Sequence, residues 1–345
     1  MCSCTCLIFE RKNKFRMSIR RIGLLIPIWF LLLFSACVKT PVQETADAAT
    51  EKTPAPVLTS SQAEAPDPTA TPAPTEEPAP TPFSIVWITD TQYLTSEHDA
   101  YKELGEWIAS KRSEENIRYV VGTGDLVQTY NMEYQWDEFR EFRKAFQDQI
   151  PDIYIAGNHD MRLKDSSFGL FVDHIYGEGG TEEQSYHSGQ GKYELFSAGG
   201  IDWLIVGMSF GYGKEEAQWV KSVLDAYPER NAILLFHDYL FRNGDLVKNA
   251  KTMFSVALEP SDNAKLVLCG HNAGFCIRTD EREGGKSYMQ TIFCNRQNFD
   301  RQKGCIQLLR FDTARGVIEF EYFSPINDRA QSVSQEIPID LHGQE

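Results

Sequence analysis

Five short polar clusters in this chain carry residue types able to hold a metal ion, and each follows a strand-like apolar run. Asp90-Thr91-Gln92 follows the run 84–88, Gly124-Asp125 follows 118–121, and Gly157-Asn158-His159-Asp160 follows 153–156. His237 ends the run 232–236, and Gly270-His271-Asn272 follows 265–269. In an open α/β sheet, ligands bind at the carboxyl ends of the strands. Five such ends delivering Asp90, Asp125, Asn158, His237 and His271 would converge on one spot, and these are metal-ligand residue types. A lone Gly-Asp at a strand end is ordinarily a turn former or a helix cap. Four consecutive residues Gly157-Asn158-His159-Asp160, however, have no packing rationale. The chemistry implied is metal-dependent hydrolysis.

The elements that must position these residues are readable in outline. The segment 97–113 carries Tyr101, Leu104, Trp107 and Ile108 at helical spacing, and 134–146 does the same with Trp136, Phe139, Phe142 and Phe146. A further helix is predicted over 167–175. Strand, helix, strand, helix, strand implies right-handed parallel crossovers. Beyond them, 192–197 and 203–208 read as a hairpin joined by residues 198–202. A helix at 214–226 and a strand at 232–236 follow. The runs 265–269, 288–294, 305–312 and 316–323 are expected to be mostly antiparallel. The economical architecture is α/β: two mixed β-sheets packed face to face and flanked by helices.

The order of the clusters is Asp-x-Gln, Gly-Asp, Gly-Asn-His-Asp, an isolated His and a Gly-His. With about thirty residues between the first three, it resembles the calcineurin-like metallophosphoesterases over essentially all of residues 83–325. The resemblance implies a four-layer α/β/β/α sandwich with a site for two divalent ions, Mn²⁺, Fe²⁺, Zn²⁺ or Mg²⁺. It assigns Asp125 to bridge both ions, with Asn158, His237 and His271 completing one and Asp90 and Gln92 contributing to the other. Two positions depart from the family pattern, Gln92 where His is usual and Ala273 where a final His is usual. The first-ion site would keep oxygen ligands, which suit Mg²⁺, Mn²⁺ or Ca²⁺, and would bind more weakly. Asn272 is the neighbouring substitute. The resemblance also implies that His159 lies beside the substrate phosphate as acid or charge stabiliser, and that Asp160 holds its ring. The other histidines have blander readings: His98 on a surface loop, His174 in a helix, His342 in the tail. His187, in a Gly/Ser-rich loop, has the reach to approach the site. Asn295 and Arg296 either line the site or cap a strand.

Composition bounds the rest. The chain has 345 residues and a net charge of −15. Residues 1–82 carry eight basic and eight acidic side chains, so the acidic excess lies in residues 83–345. That disfavours polymeric nucleic acid, whose binding needs basic phosphate contacts. Arg20 and Arg21 lead an apolar stretch, 22–33, that closes on Phe34-Ser35-Ala36-Cys37. Such a layout reads as a signal peptide over 17–36, with a lipobox-like end that makes Cys37 the lipid-modified residue. Residues 1–16 read as an upstream extension. Residues 37–82, with ten of the sixteen prolines, are too polar to bury a core; at about 3.1 Å per residue they reach roughly 140 Å. Cys269, Cys276, Cys294 and Cys305 of the 83–345 domain form disulfides or stay as buried thiols. The expectation is an extracytoplasmic, membrane-tethered hydrolase of a phosphomonoester or phosphodiester, acting on a small molecule or a cell-envelope substrate. No feature identifies a protein partner. The alternative is a catalytically degenerate surface lipoprotein that binds a phosphorylated or glycan ligand.

Overall fold

The computed structural model describes residues 3–5, 80–97, 99–177, 184–282, 287–295, 304–327 and 332–343. The signal, Cys37 and nearly all of the proline-rich segment lie outside the described residues, as do His98 and Arg296. Among the described residues no helix is long and apolar enough to cross a membrane.

The strands in chain order are β1 (Ser3–Thr5), β2 (Phe83–Ile88), β3 (Ile117–Gly122), β4 (Asp152–Tyr154), β5 (Ser185–Tyr186), β6 (Gly191–Ala198) and β7 (Ile201–Met208). They continue with β8 (Asn231–Phe236), β9 (Ala264–Cys269), β10 (Gly274–Glu281), β11 (Tyr288–Asn295), β12 (Ile306–Asp312), β13 (Val317–Phe323) and β14 (Val333–Pro338). The helices are α1 (Ala100–Lys111), α2 (Glu133–Lys144), α3 (Gly169–Tyr176), α4 (Lys214–Ala226) and α5 (Lys248–Met253), the last extended by a π-helical turn over Phe254–Leu258.

Two sheets form, ordered β14-β13-β12-β2-β3-β4 and β1-β10-β11-β9-β8-β7-β6-β5. Three apolar cores set the layers. Phe83, Ile85 and Trp87 of the first sheet meet Trp203, Ile205, Ile233 and Leu235 of the second. On its other face the six-stranded sheet packs Val86, Ile88 and Val120 against Tyr101, Leu104, Trp136 and Phe139 of α1 and α2. The eight-stranded sheet likewise packs Leu204, Val206 and Leu234 against Ala217, Val220 and Leu224 of α4. Both mixed sheets are therefore covered on both faces by sheet and helix. This explains why β2, β8 and β9 read as unbroken apolar runs rather than alternating ones.

The structure corrects the sequence expectation at several elements. β9 runs parallel to both β8 and β11, so the 265–269 run is not antiparallel. The hairpin strands β6 and β7 extend further than expected, leaving only Gly199 and Gly200 in the turn. Both have positive φ, 62° and 71°, the conformation of a tight type I′ hairpin turn. β10 (Gly274–Glu281), α5 and β14 were not anticipated. The four domain cysteines are buried thiols.

Candidate metal centre

The site residues emerge where β2, β3, β4, β8 and β9 end, so both sheets contribute. Asp90, Asp125 and His271 take left-handed backbone conformations, with φ of 54°, 55° and 66°. Non-glycine residues rarely adopt such values, and they concentrate at sites where the surroundings enforce them. The enforcing neighbours include glycines. A Cβ on Gly157 would lie 2.2 Å from Asp125 Oδ1, and one on Gly270 would lie 2.3 Å from Asp90 Oδ2. The carboxylates occupy space that a side chain at either glycine would need.

His237 is the hub. Its Nδ1 lies 2.7 Å from the Thr123 carbonyl, which assigns the proton to Nδ1 in the neutral ring. Nε2 then faces Asp125 Oδ1 at 3.3 Å, Asn158 Oδ1 at 3.2 Å and His271 Nδ1 at 3.1 Å. Ligand atoms of Asp125, His237 and His271 all lie within 4.8 Å of one another. Acceptor atoms converging this closely favour positive charge among them, supplied by a bound cation or by a second proton on His237. The electrostatics agree in direction. Burial opposes a charge on His237, yet Asp125 and Asp90 hold its pKa up to about 10. Burial also resists ionisation of Asp125, but His237 overrides it and lowers the pKa. Burial, and then the charge of His237, lowers the pKa of His271.

Asp90 is buried, which raises its pKa to about 7, with Asp125 adding to the effect. Its Oδ2 accepts hydrogen bonds from Thr89 Oγ1 (2.8 Å) and the His271 N–H (3.0 Å). Its Oδ1 is buried with no hydrogen-bond partner among the described residues, a rare state in a folded protein. The Gln92 amide stands against the same cluster. Hydrogen bonding favours the orientation in which its nitrogen donates to the carbonyls of Asp90 (2.7 Å) and Asp125 (3.2 Å). The amide oxygen then occupies the position 3.4 Å from Asp125 Oδ2. An orphaned carboxylate oxygen and an amide oxygen turned toward a second carboxylate fit an oxygen-liganded divalent ion. Asp125, Asn158, His237 and His271 offer a second, nitrogen-containing set. Ala273 is exposed. Asn272 does not take its place, because its amide nitrogen donates to the Leu240 carbonyl (3.1 Å) and Asp238 Oδ1 (3.4 Å).

His159 is tied to the centre through its backbone N–H, which donates to Asp125 Oδ1 at 3.0 Å. Its ring Nδ1 lies 2.8 Å from the Gln128 carbonyl, leaving Nε2 for other work. Asp160 does not hold that ring, contrary to the role the resemblance implied. Asp160 Oδ1 accepts the N–H groups of Leu126 (2.8 Å) and Val127 (3.0 Å), and Oδ2 accepts that of Gly157 (2.8 Å). It is a fully buried staple between the β3 and β4 loops, and burial raises its pKa to about 7.

Sequence reasoning missed two contributors. Gln128 orients His159 through a main-chain oxygen, for which residue type gives no signal. Phe210, just past β7, sets its ring centroid 6.0 Å from that of His237 and 5.6 Å from that of His271; an isolated Phe reads as core. Asn295 braces the centre by donating to the His271 carbonyl at 2.8 Å. His174 stacks on Trp136 and contacts Arg140, away from these clusters. His187 is exposed with its ring against Tyr186, and His342 contacts the Asp262 carbonyl.

A family model described as calcineurin-like phosphoesterase matches residues 83–274. The chain is 30% identical over 259 residues to an uncharacterized protein, YvnB, of Bacillus subtilis, covering 70% of this chain. The chain spans only about a fifth of that relative's length, 20%. Among solved structures, the purple acid phosphatase PPD1 from yellow lupin aligns with a TM-score of 0.51 at 13% identity, covering 75% of this chain and 54% of that one. GAP50 of Plasmodium aligns with a TM-score of 0.44 at 12% identity, covering 76% and 90%.

Proposed function

The chain belongs to the calcineurin-like phosphoesterases, and on that premise we propose that it hydrolyses a phosphomonoester or phosphodiester in a metal-dependent reaction. The carrying observation is the convergence of Asp90, Gln92, Asp125, Asn158, His237 and His271, from five strand ends, through contacts of 3.4 Å or less. In this reading Asp125 would serve two ions, one held with Asp90 and Gln92 and the other with Asn158, His237 and His271. Divalent ions, when bound, neutralise phosphate charge and lower the pKa of water. The chain's own residues do the rest. Thr123 fixes the His237 tautomer, so that Nε2 presents a lone pair. His159, its Nδ1–H held by the Gln128 carbonyl, in its imidazolium form gives the Nε2 proton to the leaving oxygen as the phosphorus–oxygen bond breaks. Water supplies the new oxygen on phosphorus.

In this reading the domain acts outside the cytosol on a small phosphate ester or an envelope component, tethered to the membrane through Cys37. The support is the basic, apolar and small-residue layout of 17–37. One observation favours a second reading, a binding protein without turnover. Ala273 offers no ligand, and Asn272 is committed elsewhere. Mn²⁺-dependent release of p-nitrophenol from mono- and bis-p-nitrophenyl phosphate separates the two. Turnover should vanish with chelator and fall by orders of magnitude in Asp125→Asn. Near wild-type turnover in that variant would overturn the bridging role; absence of turnover in the metal-loaded wild type would favour the binding protein.

A further inference from the structure

Large apolar side chains that face solvent are not scattered over this domain. Among the described residues they are Tyr93, Met132, Tyr134, Leu163, Leu170 and Phe241. Every one lies on the segment that leaves β2, β3, β4 or β8, no deeper than the first turn of the helix that follows. Those are four of the five strands whose carboxyl ends deliver the metal-centre residues. Tyr93 adjoins Gln92, Leu163 is four residues past His159, and Phe241 is four past His237. Met132 and Tyr134 follow Gln128, whose carbonyl holds the His159 ring.

Two of these segments are closed turns with their own hydrogen bonds. Arg162 and Ser167 exchange main-chain bonds of 3.1 and 3.2 Å around Leu163, and Phe241 pairs with Gly244 and Asp245 at 2.9 and 2.8 Å. The apolar tips are thus held outward by built structure. Leaving a Leu or Phe in water forgoes roughly 1.5–3 kcal/mol relative to burying it, and among the described residues that cost recurs only around one centre. Tyr, Phe, Met and Leu on four separate segments make no flat platform of the kind a sugar ring stacks on. Dispersed apolar tips, with Tyr among them, suit partial immersion in the interfacial layer of a lipid phase.

We propose that the phosphate ester presented to this centre is that of a lipid alcohol, taken from a lipid surface into which this crown of side chains dips. The inference rests on the hydrolase reading of the same site. In the step itself the phosphorus–oxygen bond to the lipid alcohol breaks, and a water oxygen bonds to phosphorus. The alkoxide takes a proton from His159 and the water gives one up, leaving the free lipid alcohol and inorganic phosphate.

The test uses the full chain with Mn²⁺ and two substrates: phosphatidic acid in non-ionic detergent micelles, and soluble p-nitrophenyl phosphate. The double variant Leu163→Ser/Phe241→Ser should lower the ratio of micellar to soluble kcat/KM about tenfold or more, from the loss of two apolar insertions. An unchanged ratio overturns the proposal. A readout independent of turnover uses Phe241→Trp, with Lys144→Trp on the exposed face of α2 as control. Vesicles containing brominated phosphatidic acid should quench the added emission of the first and not of the second. Quenching without hydrolysis of either substrate would retain the lipid contact and remove the hydrolase reading. Soluble turnover with no quenching would remove the lipid contact alone.

Discussion

At the residue scale, the proposed reading separates groups that would hold a cation from a group that would move a proton. His159→Asn should leave metal content unchanged while turnover falls roughly 10²–10⁴-fold, the range for losing a positioned acid. Metal leaving in parallel with activity, read by elemental analysis, would make His159 a ligand instead. The site lacking a ligand at Ala273 should bind its ion more weakly, giving two unequal steps in a metal titration. Because Ala273 is exposed, Ala273→His adds an imidazole without overpacking and should tighten the weaker step; two equally tight steps in the wild type would refute the assignment. Asp90, Asp125, Asn158, His237 and His271 were legible because strand-end position and residue type coincide in them. The role of Asp160 was misread, because sequence adjacency to His159 suggested a contact that the backbone does not make. Its carboxylate turns instead to three main-chain N–H groups.

At the scale of elements, that staple carries a prediction. Asp160→Ala strands three buried N–H donors, each costing roughly 1–3 kcal/mol, so the unfolding free energy read from chemical denaturation should fall by several kcal/mol together with activity. A variant of normal stability but low kcat would instead point to a direct part in the proton transfer. Helices α1, α2 and α4 could be read because their apolar residues recur every three to four positions. Strand direction could not. An apolar run such as 265–269 looks the same parallel or antiparallel, and what fixes β9 parallel to β8 is the crossover through α5. The α5 segment itself, Lys248–Met253, buries only Ala250 and Met253, too sparse a pattern to register as a helix.

At the scale of the whole molecule, the centre straddles a seam. Asp90, Asp125 and Asn158 come from the six-stranded sheet, and His237 and His271 from the eight-stranded one. The core between the sheets, with Trp87 and Trp203 fully buried, therefore sets the distance between carboxylates and imidazoles. The plan of two sheets flanked by helices followed from the order of strands and helices and from the family resemblance, whereas the edge strands β14 and β1 had no comparable signal. The same core encloses Cys294 and Cys305, while Cys269 and Cys276 lie beneath α4 and α5, all four as thiols. Maturation of this domain accordingly asks nothing of an oxidase or an isomerase. It should reach the same yield of soluble, active protein in a glutathione buffer poised fully reducing or fully oxidising, and a yield that rose with the oxidant would contradict the thiol assignment. A chain built this way can be exported through compartments of very different redox poise, or held back in one, without its fold recording the difference.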